Sequence, residues 1–227
     1  MSEKITKLPA ASLVFDFTLY PRTRIDSQHV GYIADAIRGG ATMPPIIICA
    51  KTKRIADGFH RASAFKRINE KAVINVIERH YKTGGDLFID AVRMNAAHGR
   101  ALTRCDRARV SICCRELHIK PNVLAEILHT SLKDFNDLLV NRTAYTSGTK
   151  IEPRGLVPLK RTIQHMAGRR LTEAQGKAND SLSGMNQLFY VNQMIAIIEN
   201  GLLEPDNEDL LRRLDRLAEL IDGLKVK

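Results

Sequence analysis

Apolar residues change their spacing partway along this 227-residue chain. In the first third, short apolar runs alternate with helical stripes. LVFDF (13–17) reads as a strand, and IDSQHVGYIADAIRGG (25–40) follows as a helix. There Val30, Ile33, Ala34 and Ile37 recur at three- and four-residue steps, and Gly39 and Gly40 stop the run. MPPIIIC (43–49) is a strand entered through two prolines, and RIA (54–56) continues it after the turn AKTK. A helix from about Gly58 to Asn69 and the strand AVINVIE (72–78) complete an alternating α/β unit.

From Gly84 onward the strand signal disappears and three- and four-residue steps take over. LFIDAVRMNAAH (87–98) is a helix ending near Gly99. Thr103, with Asp106 three residues on, is a variant capping box, and the helix it opens turns Ala108, Ile112 and Leu117 inward. KPNVLAEILHTSLKDFNDLLVNRT (120–143) predicts two short helices with a joint at His129-Thr130-Ser131, Ser131 and Asp134 capping the second. Leu124, Ala125 and Leu128 would pack on Phe135, Leu138 and Leu139. A small Ala and a three-residue joint are what a helix-turn-helix needs for close crossing, and an ordinary αα-hairpin reads the same way. Residues 144–160 hold Gly, Pro, Ser and Thr and read as a loop or linker. Beyond it 159–168 and 185–201 are helical. Leu210, Leu214, Leu217, Ile221 and Leu224 form a short a/d seam, either a dimerising helix pair or the core stripe of a small bundle.

Charge adds a partner to this picture. The formal net charge is +10, and 26% of the residues are charged. Residues 51–80 hold eight Lys/Arg against three Asp/Glu, and 142–177 hold eight against two. Residues 199–227 reverse the sign, with five against eight. A basic front followed by an acidic end points to a polyanion, and nucleic acid is the polyanion that fits. No apolar run approaches the ~20 residues of a membrane span. MSEKITKLPA lacks the apolar core of a signal peptide, so a cytoplasmic, nucleoid-associated protein without a membrane partner is expected. The four cysteines, Cys49, Cys105, Cys113 and Cys114, have neither C-x-x-C pairing nor regular spacing. They read as buried thiols, and no metal site is expected.

The stretch ADGFHRASAF (56–65) carries the candidate chemistry. Asp57-Gly58 sits where a strand hands over to a helix, a junction with free backbone N–H groups and a positive dipole end. His60 and Arg61 there are either an anion grip or a helix-start pair that salt-bridges Asp57. His98-Gly99-Arg100 is either a second wall of the same pocket or a helix C-cap. Asp57, Asp86, Asp90 and Asp106 are scattered rather than gathered as a metal-dependent nuclease requires.

Taken together, PPIIIC, DGFHRASA, RMNAAHGRALTRCDRAR and the paired short helices resemble the ParB/sulfiredoxin-like superfamily, its ParB-like DNA-binding branch above all. The resemblance spans roughly residues 10–145. It implies that Gly58 to Ala64 correspond to the Gly-Glu-Arg-Arg-x-Arg-Ala box with which ParB proteins grip the phosphates of CTP; Gly58, Arg61 and Ala64 match. Met94 to His98 correspond to a Glu-Asn-x-x-Arg box, of which Asn95 matches. Met94 stands where the family has a carboxylate tied to metal and hydrolysis, and a thioether does not suit Mg²⁺. Phe59 stands where sulfiredoxins carry their reactive Cys. The resemblance therefore implies binding of CTP or another nucleotide, with or without Mg²⁺, through Gly58, His60, Arg61, Asn95, His98 and Arg100.

In a helix-turn-helix the second helix would offer Lys133, Asn136, Asn141 and Arg142 to base edges, Lys or Arg suiting guanine and Asn adenine. Lys150, Arg154, Lys160, Arg161, Arg169 and Arg170 would make sequence-independent phosphate contacts. The expected fold is α+β: a small ParB/sulfiredoxin-like α/β domain (10–82), a helical helix-turn-helix domain (84–145), and a basic linker with C-terminal helices (146–227). The expected function is that of a homodimeric double-stranded-DNA-binding protein of partition or transcription regulation. A ParB-like nuclease or CTP hydrolase is the enzymatic alternative.

Overall fold

The computed structural model describes residues 4–97, 101–146 and 155–225. The chain divides into two compact units, 1–183 and 184–227. None of the described helices is long and apolar enough to cross a membrane.

The first unit is built on a four-stranded mixed sheet in the order β1-β4-β2-β3. Strand β1 (Ile5–Pro9) lies antiparallel to β4, with Thr6 opposite Val76. Helix α1 (Ser27–Arg38) follows, its first turn held by Asp26, whose carboxylate accepts from the Gln28 and His29 amides. Strands β2 (Ile46–Cys49) and β3 (Ile55–Asp57) form a hairpin, and β2 continues parallel to β4 (Val73–Arg79). Between β3 and β4 runs α2 (Phe59–Ile68). The branched side chains of Ile46, Ile48, Ile55, Ile74 and Val76 are buried against Phe59 and Ala62. On the far side of α2, Ala64 packs on Val30 and Ala34 of α1, with Ile33 and Ile37 at the margin. That stripe is the one the helical spacing predicts.

Helices α3 (Gly84–Ala97), α4 (Arg104–Glu116), α5 (Pro121–Ile127) and α6 (Leu132–Asn141) enclose a second core. Leu87, Phe88, Val92, Val110, Leu124, Ala125, Leu128 and Phe135 are buried together there. Cys113 and Cys114 join them, and Cys105 is half-buried. Burial pushes all three thiols up to about 11, so they stay protonated at neutral pH and pack as small apolar groups. Both predicted caps form. Thr103 and Asp106 make a reciprocal capping box on α4, and the Ser131 hydroxyl accepts from the Asp134 amide on α6.

Three local expectations are overturned. LVFDF is not a strand: Val14 makes a single bridge to Arg54, and Phe17–Leu19 turn into a 3-10 helix. Asp16 diverts the chain by accepting from the amide and hydroxyl of Thr18, a local bond that competes with a ladder. Strand β1, by contrast, has little signal of its own and forms because β4 offers it an edge. The strand signal also does not end at Gly84. In and around the expected linker, β5 (Thr143–Thr146), β6 (Leu156–Pro158) and β7 (Arg170–Leu171) pair in the order β6-β5-β7 over Ala144, Leu159 and Leu171. Strands this short are made by partners distant in sequence and leave no periodicity to read. Residues 159–168, expected as a helix, form a kinked 3-10 stretch at Arg161–Met166, and the helix comes later as α7 (Glu173–Ser181) under a Thr172/Gln175 capping box.

The second unit holds α8 (Gln187–Glu199) and α9 (Glu208–Lys225). No residue of α8 is buried, and Leu188, Val191, Ile195 and Ile198 are exposed. On α9 the predicted seam is likewise uncovered at Leu217, Ile221 and Leu224.

Candidate functional site

The turn from β3 into α2 is shaped by Gly58. It occupies the left-handed region at φ 98° and stands at the N-cap without any side-chain cap of its own. A Cβ there would lie 3.1 Å from both Arg61 Nη2 and Ile46 Cγ1, so the position requires glycine on conformational and steric grounds. Arg61, in the first turn of α2, donates from Nη2 to Asp57 Oδ2 at 2.7 Å and from Nη1 to the Pro44 carbonyl at 3.0 Å. Of the two sequence readings of His60-Arg61, the ion pair with Asp57 is thus realised. A guanidinium carries five N–H donors, and these two bonds orient the fork beside the bare N-terminus of α2.

His60 accepts at Nε2 from the Asp26 amide at 3.1 Å, which places its proton on Nδ1 in this arrangement. The His29 ring lies edge-on at 5.1 Å. Phe59, at the position of the family's Glu, points the other way. It is 3% exposed and stacks on Tyr20 at 4.2 Å. Tyr20 is buried in turn, and its hydroxyl is sealed with no partner among the described residues. Burial holds that phenol well above its ordinary range.

Asn95 lies near the end of α3, where its amide donates to the Ala91 carbonyl at 2.9 Å. Its Oδ1 accepts from Arg22 Nε at 3.1 Å. The segment 20–26 therefore joins what the two sequence boxes left apart. Arg22 reaches Asn95, Asp26 meets His60, and Thr23 donates from its amide and hydroxyl to Asp106. Arg22, Thr23 and Asp106 were not singled out as site residues. For Arg22 and Thr23 the sequence signal is an Arg-rich YPRTR run without periodicity, and Asp106 is legible as a cap and as one of four scattered carboxylates. His98 and Arg100 lie outside the described residues. Among the described residues, no three His, Cys, Asp or Glu side chains gather as a metal ion would need.

The second candidate surface is the α5–α6 pair. Helix α5 ends at Ile127, α6 starts at Leu132, and His129 between them adopts φ 50°. Leu124, Ala125 and Leu128 are buried with Phe135 as expected, while Leu138 is half-buried at the edge. The opposite face of α6 is open: Leu132, Lys133, Asn136 and Val140 are exposed at helical spacing, with Asn141 beside them. Arg142 is set apart from these, since it is the C-cap of α6 and only 8% exposed. Lys160 donates from Nζ to the Asp180 and Leu182 carbonyls, which ties down the end of α7. Arg161, Arg169 and Arg170 are exposed, whereas Lys150 and Arg154 lie outside the described residues.

A mixed α/β protein results, in which a strand–glycine–helix turn, an Asn-bearing helix and a pair of short helices follow one another. That is the order of elements on which the resemblance of the sequence to ParB-like proteins rests. Over 121 residues it is 31% identical to a Streptomyces griseus protein described as a possible regulatory protein of the streptomycin biosynthesis operon. The match covers 52% of this chain and 34% of that protein, so the chain spans about a third of its relative's length. Three solved structures are also similar. The C-terminally truncated chromosome-partitioning protein ParB from Caulobacter crescentus with CTP-γ-S shares 15% identity at TM-score 0.37, over 60% of this chain and 76% of that one. The truncated Caulobacter crescentus ParB bound to the centromeric parS site shares 14% at TM-score 0.43, over 92% and 99%. A Pnob8-like ParB-N domain shares 11% at TM-score 0.38, over 68% and 57%. No family model matches the chain.

Proposed function

We propose that this is a DNA-binding protein of the transcription-regulating or partition kind, with α5 and α6 acting as a helix-turn-helix. The observation that carries this reading is the split character of α6. Phe135 anchors one face in the core, while Leu132, Lys133, Asn136 and Val140 stand free on the other. A helix entering the major groove needs such a face: Lys suits guanine, Asn suits adenine, and apolar side chains suit the thymine methyl. The +10 net charge supplies the sequence-independent attraction. The regulatory role described for the Streptomyces griseus relative favours regulation.

Selection from random duplexes should yield a preferred sequence. On that sequence each of the single variants Lys133→Ala and Asn136→Ala should bind roughly 5- to 150-fold more weakly, at about 1–3 kcal/mol per good bidentate base contact. Equal weakening on unrelated DNA would sink the base-reading role.

The Gly58 turn, with His60, Arg61 and Asn95, is proposed as a pocket for a nucleotide phosphate that biases the protein's conformation. CTP, with ATP and GTP as controls, is the ligand to titrate. Selective CTP binding by the wild type, lost in Arg61→Ala, is the expected result. No binding of any of the three would reduce the turn to the Arg61–Asp57 ion pair that holds it. The uncovered apolar positions of α8 and α9 favour a homodimer. Light scattering should give twice the chain mass, and Ile195→Lys should shift it toward the monomer. A monomeric wild type overturns that part.

A further inference from the structure

Three arginines converge where α6 ends, and among the described residues no carboxylate forms a salt bridge with any of them. The backbone brings them together. Arg142 caps α6, and its carbonyl accepts from the Leu159 amide at 2.7 Å, while Thr143 pairs with Pro158. Arg161, two residues past Leu159, is thereby laid beside Arg142. Helix α4, which packs on both α6 and β6, begins at Arg104.

Arg142 is more than nine-tenths buried, and no hydrogen bond to another described residue engages its guanidinium. The sealed, unpartnered side-chain atoms among the described residues are Thr6 Oγ1 and Tyr20 Oη, so the Arg142 nitrogens still open to the outside. Burial first, and then the charges of Arg104 and Arg161, pull its pKa down. Such a cluster pays for its own repulsion unless an anion fills it. Around it stand Cys105, which burial keeps protonated, and Lys160, whose ammonium is held by carbonyls. The nearest acids are committed elsewhere or exposed: Asp106 bonds Thr23 and Thr103, and Asp180, in the last turn of α7, is exposed.

We propose that Arg104, Arg142 and Arg161 form a seat for one phosphate group, and that in the DNA-bound protein this is a backbone phosphate flanking the groove that α6 enters. The guanidinium fork matches phosphate oxygens, and a buried, preorganised fork loses little freedom on binding. This assignment rests on the DNA-binding reading and gives Arg142 a positioning contact instead of a base contact. Arg104, which no sequence pattern singled out, becomes part of the interface.

The test compares wild type, Arg142→Gln and the double variant Arg104→Gln/Arg161→Gln. The double variant changes only exposed side chains and so keeps its fold if Arg142→Gln does not. DNA affinity is measured across a salt series, and thermal midpoints are measured in inorganic phosphate against chloride at equal ionic strength. The expected result is a roughly tenfold weaker complex for each variant, a salt slope shallower by about one for every phosphate left without its arginine, and an unchanged preferred sequence. Phosphate should also raise the wild-type midpoint above the chloride control, and the variants should not show that rise. Unchanged slopes in both variants overturn the DNA-phosphate assignment. Should wild type bind no DNA while phosphate still stabilises it through these arginines, the DNA reading fails and the seat stands for free phosphate. Absence of both effects overturns the seat.

Discussion

Phe135→Ala is expected to lower the unfolding free energy by about 3–5 kcal/mol, the range for truncating a buried aromatic. Phe135 is 1% exposed and shares its cluster with Phe88, Val110, Leu124, Ala125 and Leu128. It is the α6 side chain driven deepest into that core, so little nearby can collapse into the space it leaves. Against a typical total of about 5–15 kcal/mol, the loss is large enough to be seen directly in urea unfolding. Under the proposed function, DNA binding should fall with it, because α6 then has no fixed position from which to present Lys133 and Asn136. Phe135→Leu fills most of the volume and should cost much less. A loss under about 1 kcal/mol for the alanine variant, below that range, would mean that α6 is not anchored through this residue.

Asp106→Ala should cost about 2–4 kcal/mol, combining a missing cap with buried donors left unpaired. The carboxylate is 5% exposed and fully used. Oδ2 accepts from the Thr103 amide and hydroxyl at 3.0 and 2.8 Å, closing the box on α4. Oδ1 accepts from the Thr23 amide and hydroxyl at 2.8 and 3.2 Å. Donors therefore face both oxygens, and Asp106→Asn would set an NH₂ against one pair of them. The asparagine variant should consequently rescue only part of the loss. Hydrogen exchange offers a second readout, since the Thr23 amide should lose protection in Asp106→Ala while the sheet amides of β2 and β4 keep theirs. Unchanged protection at Thr23 would show that segment 20–26 is held by something other than Asp106. The same segment carries Arg22 to Asn95 and Asp26 to His60, so loosening it should also weaken any ligand of the Gly58 turn.

Much of this architecture is local chemistry and was legible residue by residue. The Val30/Ala34 stripe, the β-branched run of β2, the glycine at the β3–α2 junction, and the caps at Thr103 and Ser131 depend on neighbours within a few positions. Periodicity and capping report such features because the helix or strand they describe is decided within its own length. The pairing of Leu124, Ala125 and Leu128 with Phe135 was legible for the same reason, the joint being too short to allow another partner.

Tertiary structure decided the rest. Strand β1 and the small β6-β5-β7 sheet exist because distant segments supply their hydrogen-bond partners, and LVFDF fails as a strand because Asp16 satisfies Thr18 locally. Phe59 became a stacking partner of Tyr20, thirty-nine positions away, at the position where the family's box has Glu. Above all, only the fold could bring Arg104 and Arg161 near Arg142, or make Asp106 the common anchor of two segments eighty residues apart. Like charges distant in sequence carry no local pattern. Their meeting is imposed by the packing of α4, α6 and β6, and the sequence alone determined only that the two helices would form and which faces they would bury.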